Sequence, residues 1–310
     1  MSDHRSTPLR GITPILVTPY DHHERIAFED VGRQVDHLAA LPVTAIGVGF
    51  GSDIVRLTDR ERDDLVSVVA ATARGRRPVM AAVNGNATRA IVDRATLMLR
   101  AGATVLMVTP PGAVSSPTTD AIVDTYAAVA RETEAAIVVQ DAPGFTGTAM
   151  SAELLARIAR EVPGVVAVKI EATPPAPKVG RVAALDHGSA AILGGAGGID
   201  FWHELERGAD GTVPGVAMAE LFLAVQAHHD AGERDLARRL FNRHLPLIAL
   251  ATRDMDTFFA VQHQLLSRRG ITTRTGLRGP CAADPGLAAE VETLMADLGI
   301  ASAAWEPRPA

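Results

Sequence analysis

The chain has 310 residues, of which 47% are hydrophobic and 21% charged, and its formal net charge is -6. This is the composition of a globular protein with a large core, and an acidic chain without a basic, aromatic-rich patch is not typical of nucleic-acid binding. No stretch approaches the ~20 apolar residues of a membrane span. The single cysteine excludes an intramolecular disulfide, and the polar N-terminus lacks the apolar segment of a signal peptide, so we expect a cytoplasmic protein.

Short apolar segments alternate with helical patterns over residues 1–217. The eight predicted strands are 12–17, 44–49, 78–83, 103–108, 136–140, 165–169, 190–193 and 211–214, and the helices predicted between them include 28–41, 178–185 and 201–207. Strict alternation of buried strands and helices indicates a parallel sheet, and eight such units have the size of a closed (β/α)8 TIM barrel. An open doubly wound sheet is the alternative, but Thr18-Pro-Tyr-Asp21 replaces the glycine-rich fingerprint that usually follows its first strand.

The pattern turns purely helical after the eighth unit. Amphipathic segments over 219–230, 233–250, 255–269 and 285–298 follow one another without strands between them. We therefore predict a C-terminal helical extension, residues 218–310, that packs on the barrel and forms one structural unit with it.

The sixth predicted strand ends in Lys169, and the only other lysine of the chain is Lys178. A buried lysine readily loses its proton, and the free amine can form a Schiff base with a carbonyl compound. The alternative is a lysine that reaches solvent or pairs with Glu171. Because barrel enzymes carry their chemistry at the C-terminal ends of the strands, the position favours a catalytic Lys169.

Five segments carry a resemblance to a known family. They are Gly11-Ile-Thr-Pro-Ile-Leu-Val-Thr-Pro19, Asn86-Ala-Thr88, Gly102-Ala-Thr-Val-Leu-Met-Val-Thr-Pro110, Ala142-Pro143 with Thr146-Gly147, and Val168-Lys169. With these segments the chain resembles the dihydrodipicolinate synthase and N-acetylneuraminate lyase family over residues 11–300. The resemblance implies a (β/α)8 barrel with a helical extension, commonly a homotetramer, in which the strand-six lysine, here Lys169, forms a Schiff base with pyruvate.

The chain departs from the family pattern where substrate is bound. After strand two the family reads Gly-Thr-Thr-Gly-Glu, whose hydroxyls bind the pyruvate carboxylate, whereas this chain has Gly49-Phe50-Gly51-Ser52-Asp53 with one hydroxyl. The arginine that grips the second substrate of the synthases corresponds to Phe145. A second tyrosine, after strand four, falls in Pro110-Pro111-Gly112 and is missing. Dihydrodipicolinate synthesis itself is therefore disfavoured, and the two phenylalanines favour a less hydroxylated second substrate.

The proton-transferring group also differs. Gln140 followed by Asp141 stands where the family has its strand-five tyrosine. Gln140 cannot titrate near neutral pH, although it can hydrogen-bond a carbonyl group or a water molecule, so it remains a candidate catalytic residue. Asp141 is the first candidate for the proton shuttle, and Asp53, Glu171 and the substrate's own carboxylate are the others.

The remaining site predictions concern substrate binding. We expect the backbone N–H groups of Gly51 and Ser52 to hold the substrate carboxylate, with Thr212 and Val213 across the barrel. Phe50, Thr109 and Glu171 complete the predicted binding set. The turn Gly194-Gly-Ala-Gly-Gly-Ile-Asp200 either binds phosphate or, more simply, forms a tight turn that lines the pocket. Residues 254–259 are a candidate for the mouth of the barrel, but the sequence does not fix their position.

Three functional hypotheses follow. The first is a Schiff-base lyase, an aldolase, acting through Lys169 on a 2-oxo acid such as pyruvate or an acid that releases pyruvate. The second is a Schiff-base dehydratase of a deoxy sugar acid, and the third is an altered barrel that only binds a small carboxylate. No metal or other cofactor, no nucleic acid and no membrane partner is expected, and the resemblance implies a homo-oligomer, either a tetramer or a dimer.

Overall fold

The computed structural model describes residues 7–112, 114, 116–281 and 284–309. Within them eight parallel strands form one sheet in the order β1-β8-β7-β6-β5-β4-β3-β2. The strands are β1 Gly11–Ile12, β2 Ile46–Val48, β3 Val79–Val83, β4 Val105–Val108, β5 Ala136–Asp141, β6 Val165–Ile170, β7 Ala191–Gly194 and β8 Gly211–Thr212. Ile15 pairs with both Gly47 and Gly215 through single bridges, which closes the sheet on itself. The predicted (β/α)8 barrel is confirmed.

Twelve α-helices surround and extend the barrel in the described residues. They are α1 Phe28–Ala40, α2 Asp59–Ala73, α3 Thr88–Arg100, α4 Thr119–Thr133, α5 Pro143–Thr146, α6 Ala152–Glu161, α7 Pro175–Ala183, α8 Phe201–Leu205, α9 Ala219–Asp230, α10 Arg234–Ala251, α11 Met255–Arg268 and α12 Leu287–Leu298. None of these helices combines the length and the hydropathy needed to cross a membrane. The C-terminal helices predicted from the sequence are present.

Local sequence explains several of these boundaries. The Glu61 N–H donates to Thr58 Oγ1 at 3.2 Å, and the Thr58 N–H donates back to Glu61 Oε2 at 2.9 Å, so a capping box starts α2. Helix α7 begins at Pro175, three residues before the predicted start, because proline is well tolerated in the first helical turn. Strand β1 ends at Ile12 rather than at residue 17, since the residues that follow it pair only through single bridges.

The interior of the barrel is packed from the strands outward. Every residue of β3, β4, β5 and β6 is buried, as expected for a parallel sheet covered by helices on its outer face. These strands are rich in valine, alanine and isoleucine, but β5 ends in Gln140-Asp141 and β6 contains Lys169. The β5–β6 register pairs Gln140 with Lys169, so polar side chains are buried next to each other at one end of the barrel.

Helix α11 brings distant sequence to the same end of the barrel. It packs against the short 3-10 helix Phe50–Ser52 that follows β2 and against the 3-10 helix Val216–Met218 that follows β8. Its first turn therefore lies beside the C-terminal ends of the strands, where the candidate site is built.

Candidate active site

Lys169 and Glu171 form a buried ion pair at the end of β6. The distance from Lys169 Nζ to Glu171 Oε1 is 2.9 Å, and the lysine side chain is 5% exposed. Burial raises the pKa of the Glu171 carboxyl, but the positive charge of Lys169 and the hydrogen bonds that the carboxylate accepts outweigh burial and hold this pKa below 4.5. The pairing considered as an alternative from the sequence is therefore present, and it places a carboxylate directly against the candidate nucleophile.

Two further donors fix the Glu171 carboxylate. Gln140 Nε2 donates to Oε2 at 2.8 Å, and the backbone N–H of Ala196 donates to Oε1 at 3.0 Å. Gln140 is buried, and its Oε1 has no hydrogen-bond partner among the described residues. Glu171 is thus held by β5, by its own strand and by the turn after β7, which fixes the carboxylate in one position.

A cavity of about 230 Å³ opens above this ion pair. Its lining includes five of the residues predicted for the site, namely Phe50, Gly51, Lys169, Glu171 and Val213. Phe145, which the sequence placed at the pocket, also lines it, and Ala196 and Gly197 confirm that the glycine-rich turn lines the pocket. A larger groove of about 940 Å³ lies along α11 and α12, but Lys169 does not line it, so we place the chemistry in the smaller cavity.

Several lining residues were not anticipated. Ile15 and Met107 lie on the strand side, and Pro214 and Gly215 follow β8. Thr252 adds the end of α10, and Asp254, Met255 and Phe258 belong to the segment 254–259 that the sequence offered as a candidate for the barrel mouth. No local sequence signal fixes their place, because it depends on how α11 packs on the barrel.

Asp141, the first candidate for the proton shuttle, has another partner. Its Oδ2 pairs with Lys178 Nζ on α7 at 2.5 Å, and its Oδ1 accepts the Met150 N–H at 3.2 Å. Burial raises the pKa of the Asp141 carboxyl, and Lys178 opposes part of this increase. Asp141 does not line the cavity, so the structure places Glu171 rather than Asp141 beside Lys169.

The predicted carboxylate cradle is only partly present. Gly51 lines the cavity, but the Ser52 N–H donates to Gly49 O at 2.7 Å within a tight turn. The Ser52 hydroxyl is also engaged, since it donates to Leu16 O at 2.6 Å. The expected contact from Ser52 is therefore not supported, because both of its donors already bond to backbone carbonyls of the protein.

Thr109 and Thr212 lie outside the cavity lining. Both are fully buried, and neither hydroxyl has a hydrogen-bond partner among the residues that the structure describes. Their predicted roles in substrate binding find no contact with the cavity.

Asp53 supports the loop that carries Phe50. Its Oδ2 accepts the Tyr20 hydroxyl at 3.0 Å, and its Oδ1 lies 3.2 Å from Arg56, which also pairs with Asp256 on α11. Burial raises the pKa of the Asp53 carboxyl, while Arg56 lowers it. Asp53 does not line the cavity, and this partly buried network ties the loop after β2 to the first turn of α11.

Glu204 on α8 is a buried acid that the sequence did not reveal. It is 1% exposed, and neither carboxylate oxygen has a hydrogen-bond partner among the described residues. Its carboxylate occupies the space that a side chain on Gly194 would need, while Glu171 occupies the corresponding space at Gly195. Burial, followed by the charges of Asp200 and Glu171, raises the pKa of Glu204 well above 4.5. The two glycines thus leave room for two buried carboxyl groups beside β7.

Comparison with known proteins identifies the family. The model of the dihydrodipicolinate synthetase family matches residues 8–293. The chain is 29% identical to 4-hydroxy-tetrahydrodipicolinate synthase of Parabacteroides distasonis over 78% of this chain and 82% of that protein. It is 32% identical to L-2-keto-3-deoxyarabonate dehydratase of Azospirillum brasilense over 78% of this chain and 80% of that protein.

Solved structures agree with this assignment. The crystal structure of dihydrodipicolinate synthase from Rhodopseudomonas palustris superposes with a TM-score of 0.85 at 25% identity and covers 94% of this chain and 100% of that chain. The corresponding structure from Thermotoga maritima gives a TM-score of 0.85 at 23% identity, covering 94% of this chain and 99% of that one, and it supports the fold alone. The chain therefore belongs to the dihydrodipicolinate synthetase family and is a lyase of the Schiff-base-forming, class I type.

Proposed function

We propose that the protein cleaves or forms a bond of a 2-oxo acid through a Schiff base on Lys169. The observation that carries this proposal is the buried Lys169–Glu171 pair at the base of an apolar cavity, with 2.9 Å between Nζ and Oε1. The lysine amine attacks the C2 carbonyl of the acid and gives a carbinolamine, which loses water to become an iminium ion. The iminium then accepts the electron pair of the bond that breaks.

Glu171 accepts and returns the proton that these steps require. Paired as an ammonium ion, Lys169 cannot attack, so its proton first passes to the Glu171 carboxylate, which is within hydrogen-bond distance. The protonated Glu171 then returns the proton to the carbinolamine hydroxyl, which leaves as water. The resulting iminium lies next to a carboxylate again, and this carboxylate is free to accept a proton from C3 or from a substrate hydroxyl.

Gln140 positions this acid–base group. Its amide donates to Glu171 Oε2 at 2.8 Å and favours the ionised carboxylate. A carboxamide has no titrating proton at neutral pH, so Gln140 orients Glu171 instead of replacing the tyrosine of the resembled family as a proton donor.

A dehydratase is the second candidate. It is supported by the 32% identity to L-2-keto-3-deoxyarabonate dehydratase. Loss of water from an imine requires removal of a C3 proton and protonation of the departing hydroxyl, and Glu171 can perform both steps in turn. Aldol cleavage and dehydration therefore share the same first half, up to the iminium ion.

We also propose a cytoplasmic homo-oligomer, a tetramer or a dimer, in keeping with the resemblance described above. Size-exclusion chromatography with light scattering tests this assembly. A monomer at micromolar concentration would contradict it.

Deuterium exchange at C3 of pyruvate tests the shared chemistry. In D2O the wild-type protein is expected to exchange the methyl protons of pyruvate for deuterium, because the iminium ion acidifies C3 and Glu171 removes the proton. Proton NMR measures the loss of the methyl signal. Lys169→Arg should abolish the exchange, and Glu171→Gln should slow it by about 10²-fold or more. Lys178→Arg, which keeps the positive charge beside Asp141, serves as the control. Exchange that persists in Lys169→Arg would overturn the proposal.

A further inference from the structure

The cavity above Lys169 is lined mainly by hydrocarbon. Phe50, Phe145 and Phe258, two methionines, an isoleucine, a valine and a proline supply most of its side chains. Among the described residues, the only polar side chains that line it are Lys169, Glu171, Thr252 and Asp254. A few polar groups in a mainly apolar pocket are typical of a site that fixes one functional group and accommodates an apolar remainder.

The two polar side chains at the rim are already bonded within the protein. Thr252 Oγ1 donates to Ile248 O at 2.9 Å in the last turn of α10. Asp254 caps α11, where its carboxylate accepts the Thr257 N–H at 2.9 Å and the Thr257 hydroxyl at 2.7 Å. Lys169 and Glu171 are needed for the reaction itself. Hydroxyl groups on the tail of a substrate would therefore find few partners in this cavity.

An aromatic pair forms one wall of the cavity. The rings of Phe50 and Phe145 stack with 4.1 Å between their centroids and 4° between their planes. Phe145 is 45% exposed, although most large apolar side chains of this chain are buried. Flat aromatic surface at the mouth of a cavity favours contact with an apolar or aromatic group.

The charges around the cavity disfavour a second carboxylate. Lys169 is the one cationic side chain among the described lining residues, and Glu171 neutralises it. Asp254 adds a negative charge at the rim, and hydrogen bonds from Thr257 lower the pKa of this carboxyl, which keeps it ionised. A dicarboxylic substrate would meet repulsion here without a compensating arginine.

We propose that the substrate is a 2-oxo acid with an apolar tail, most favourably an aromatic ring, and that Phe50 and Phe145 select this tail. The inference rests on the imine chemistry proposed above and names the substrate class for it. The cavity has room for an aromatic ring, because an apolar cavity of about 150 Å³ holds a benzene molecule and this cavity measures about 230 Å³.

Competitive trapping tests the selectivity of the tail. The protein is incubated with an equimolar mixture of 2-oxo-4-phenylbutanoate, 2-oxoglutarate and 4,5-dihydroxy-2-oxopentanoate in the presence of borohydride. Each imine forms with loss of one water, and hydride addition to its carbon gives a stable amine whose mass identifies the acid. The phenyl adduct is expected to exceed each of the others by about tenfold or more.

Variants of the exposed ring show which residue is responsible. Phe145→Arg should shift the preference toward 2-oxoglutarate by about tenfold, because it adds a cation and removes the stacked ring. Leu185→Arg also adds an arginine in place of an exposed apolar side chain, but outside the cavity lining, and it should keep the wild-type ranking. A wild-type preference for the dihydroxy or the dicarboxylic acid, or an unchanged ratio of the phenyl adduct to the 2-oxoglutarate adduct in Phe145→Arg, would overturn the inference.

Thermal stabilisation by the same three acids separates this inference from the proposed function. If none of them, and not pyruvate either, forms an adduct, the imine proposal fails. The tail preference is then read from the melting temperatures alone, where the phenyl acid should still stabilise the protein most. Equal stabilisation by all three acids would overturn the tail preference as well.

Discussion

Lys169 and Glu171, two residues apart at the end of β6, turn their side chains toward each other, with 2.9 Å between Nζ and Oε1. Successive residues of a strand point to opposite faces, so residues i and i+2 share a face. Ile170, between them, is fully buried in the core. The spacing of two therefore places a carboxylate beside the amine, whereas an acid at position 170 would point away from it.

Removal of the Glu171 carboxylate should greatly slow turnover without unfolding the protein. Glu171→Gln keeps the size of the side chain and its contact with Ala196 but cannot take up the proton of Lys169. We expect kcat to fall by about 10²–10⁴-fold, measured with the acid that the trapping experiment selects. Glu306→Gln, at an exposed glutamate, is the control. Turnover within a factor of two of wild type would show that another group carries the proton.

Loss of the Gln140 donor should shift the pH profile. The hydrogen bond from Gln140 is one of the contacts that lower the pKa of Glu171. Gln140→Met removes this donor while keeping a side chain of similar shape, so the pKa of Glu171 rises. The acid limb of the pH profile of kcat/KM should therefore move to higher pH. Gln140→Glu should move it further, because a second carboxylate beside Glu171 disfavours its ionised form. An unchanged acid limb in Gln140→Met would contradict a positioning role for Gln140.

The Asp141–Lys178 pair should contribute to stability more than to catalysis. Lys178→Met leaves the buried Asp141 carboxylate without its cation, which costs about 3–5 kcal/mol of unfolding free energy. The double variant Asp141→Leu with Lys178→Met removes both charges and should recover most of that loss. Urea denaturation of the two single variants and the double variant measures the coupling. Additive losses in the double variant would show that the pair does not act as a unit.

Glu204 should make stability fall with pH. Its pKa is raised in the folded protein, so below about pH 4.5 both the folded and the unfolded states hold the proton and the group has no effect. Above that pH the unfolded carboxylate ionises while the folded one stays protonated. The free energy of unfolding then falls by about 1.4 kcal/mol per pH unit until the folded pKa is reached.

Glu204→Gln removes this linkage. The melting temperature of the variant, relative to that of the wild type, should therefore rise between pH 5 and pH 8. The rise should be about 2–4 °C for each kcal/mol of linkage removed. Glu306→Gln again serves as the control. A difference between Glu204→Gln and wild type that stays constant with pH would mean that Glu204 is ionised in the folded protein.

The barrel and the buried position of Lys169 at the end of β6 could be predicted from sequence because both have local signals. Alternating apolar strands and helices indicate the fold, and a lone lysine at the end of a buried strand marks the catalytic face. Gln140 and Phe50 have a local signal as well, because Gln140 lies at the end of β5 and Phe50 shortly after β2. Their partners were harder to assign, since Gln140 meets Glu171 only through the β5–β6 register.

The parts of the site that the sequence did not reveal depend on packing between distant elements. Asp141 was favoured as a proton shuttle because it follows Gln140, but its partner Lys178 lies 37 positions further along the chain, on α7. Residues 254–259 are a sequence candidate for the barrel mouth, but their position is not fixed by sequence, since Phe258 reaches the cavity only because α11 packs on the loop after β2. Glu204 sits within an ordinary helical pattern, and its isolation became visible only when Gly194 was found packed against it.

The location of a trapped adduct tests most directly whether Lys169 forms the Schiff base. The protein is reduced with borohydride in the presence of pyruvate, digested and mapped by mass spectrometry. The chain has two lysines, and we expect one modified peptide, carrying Lys169, in wild type and in Lys178→Arg. Lys169→Arg should give no lysine adduct. An adduct on Lys178, or none on either lysine with pyruvate or any longer 2-oxo acid, would contradict the central claim that Lys169 is the Schiff-base residue.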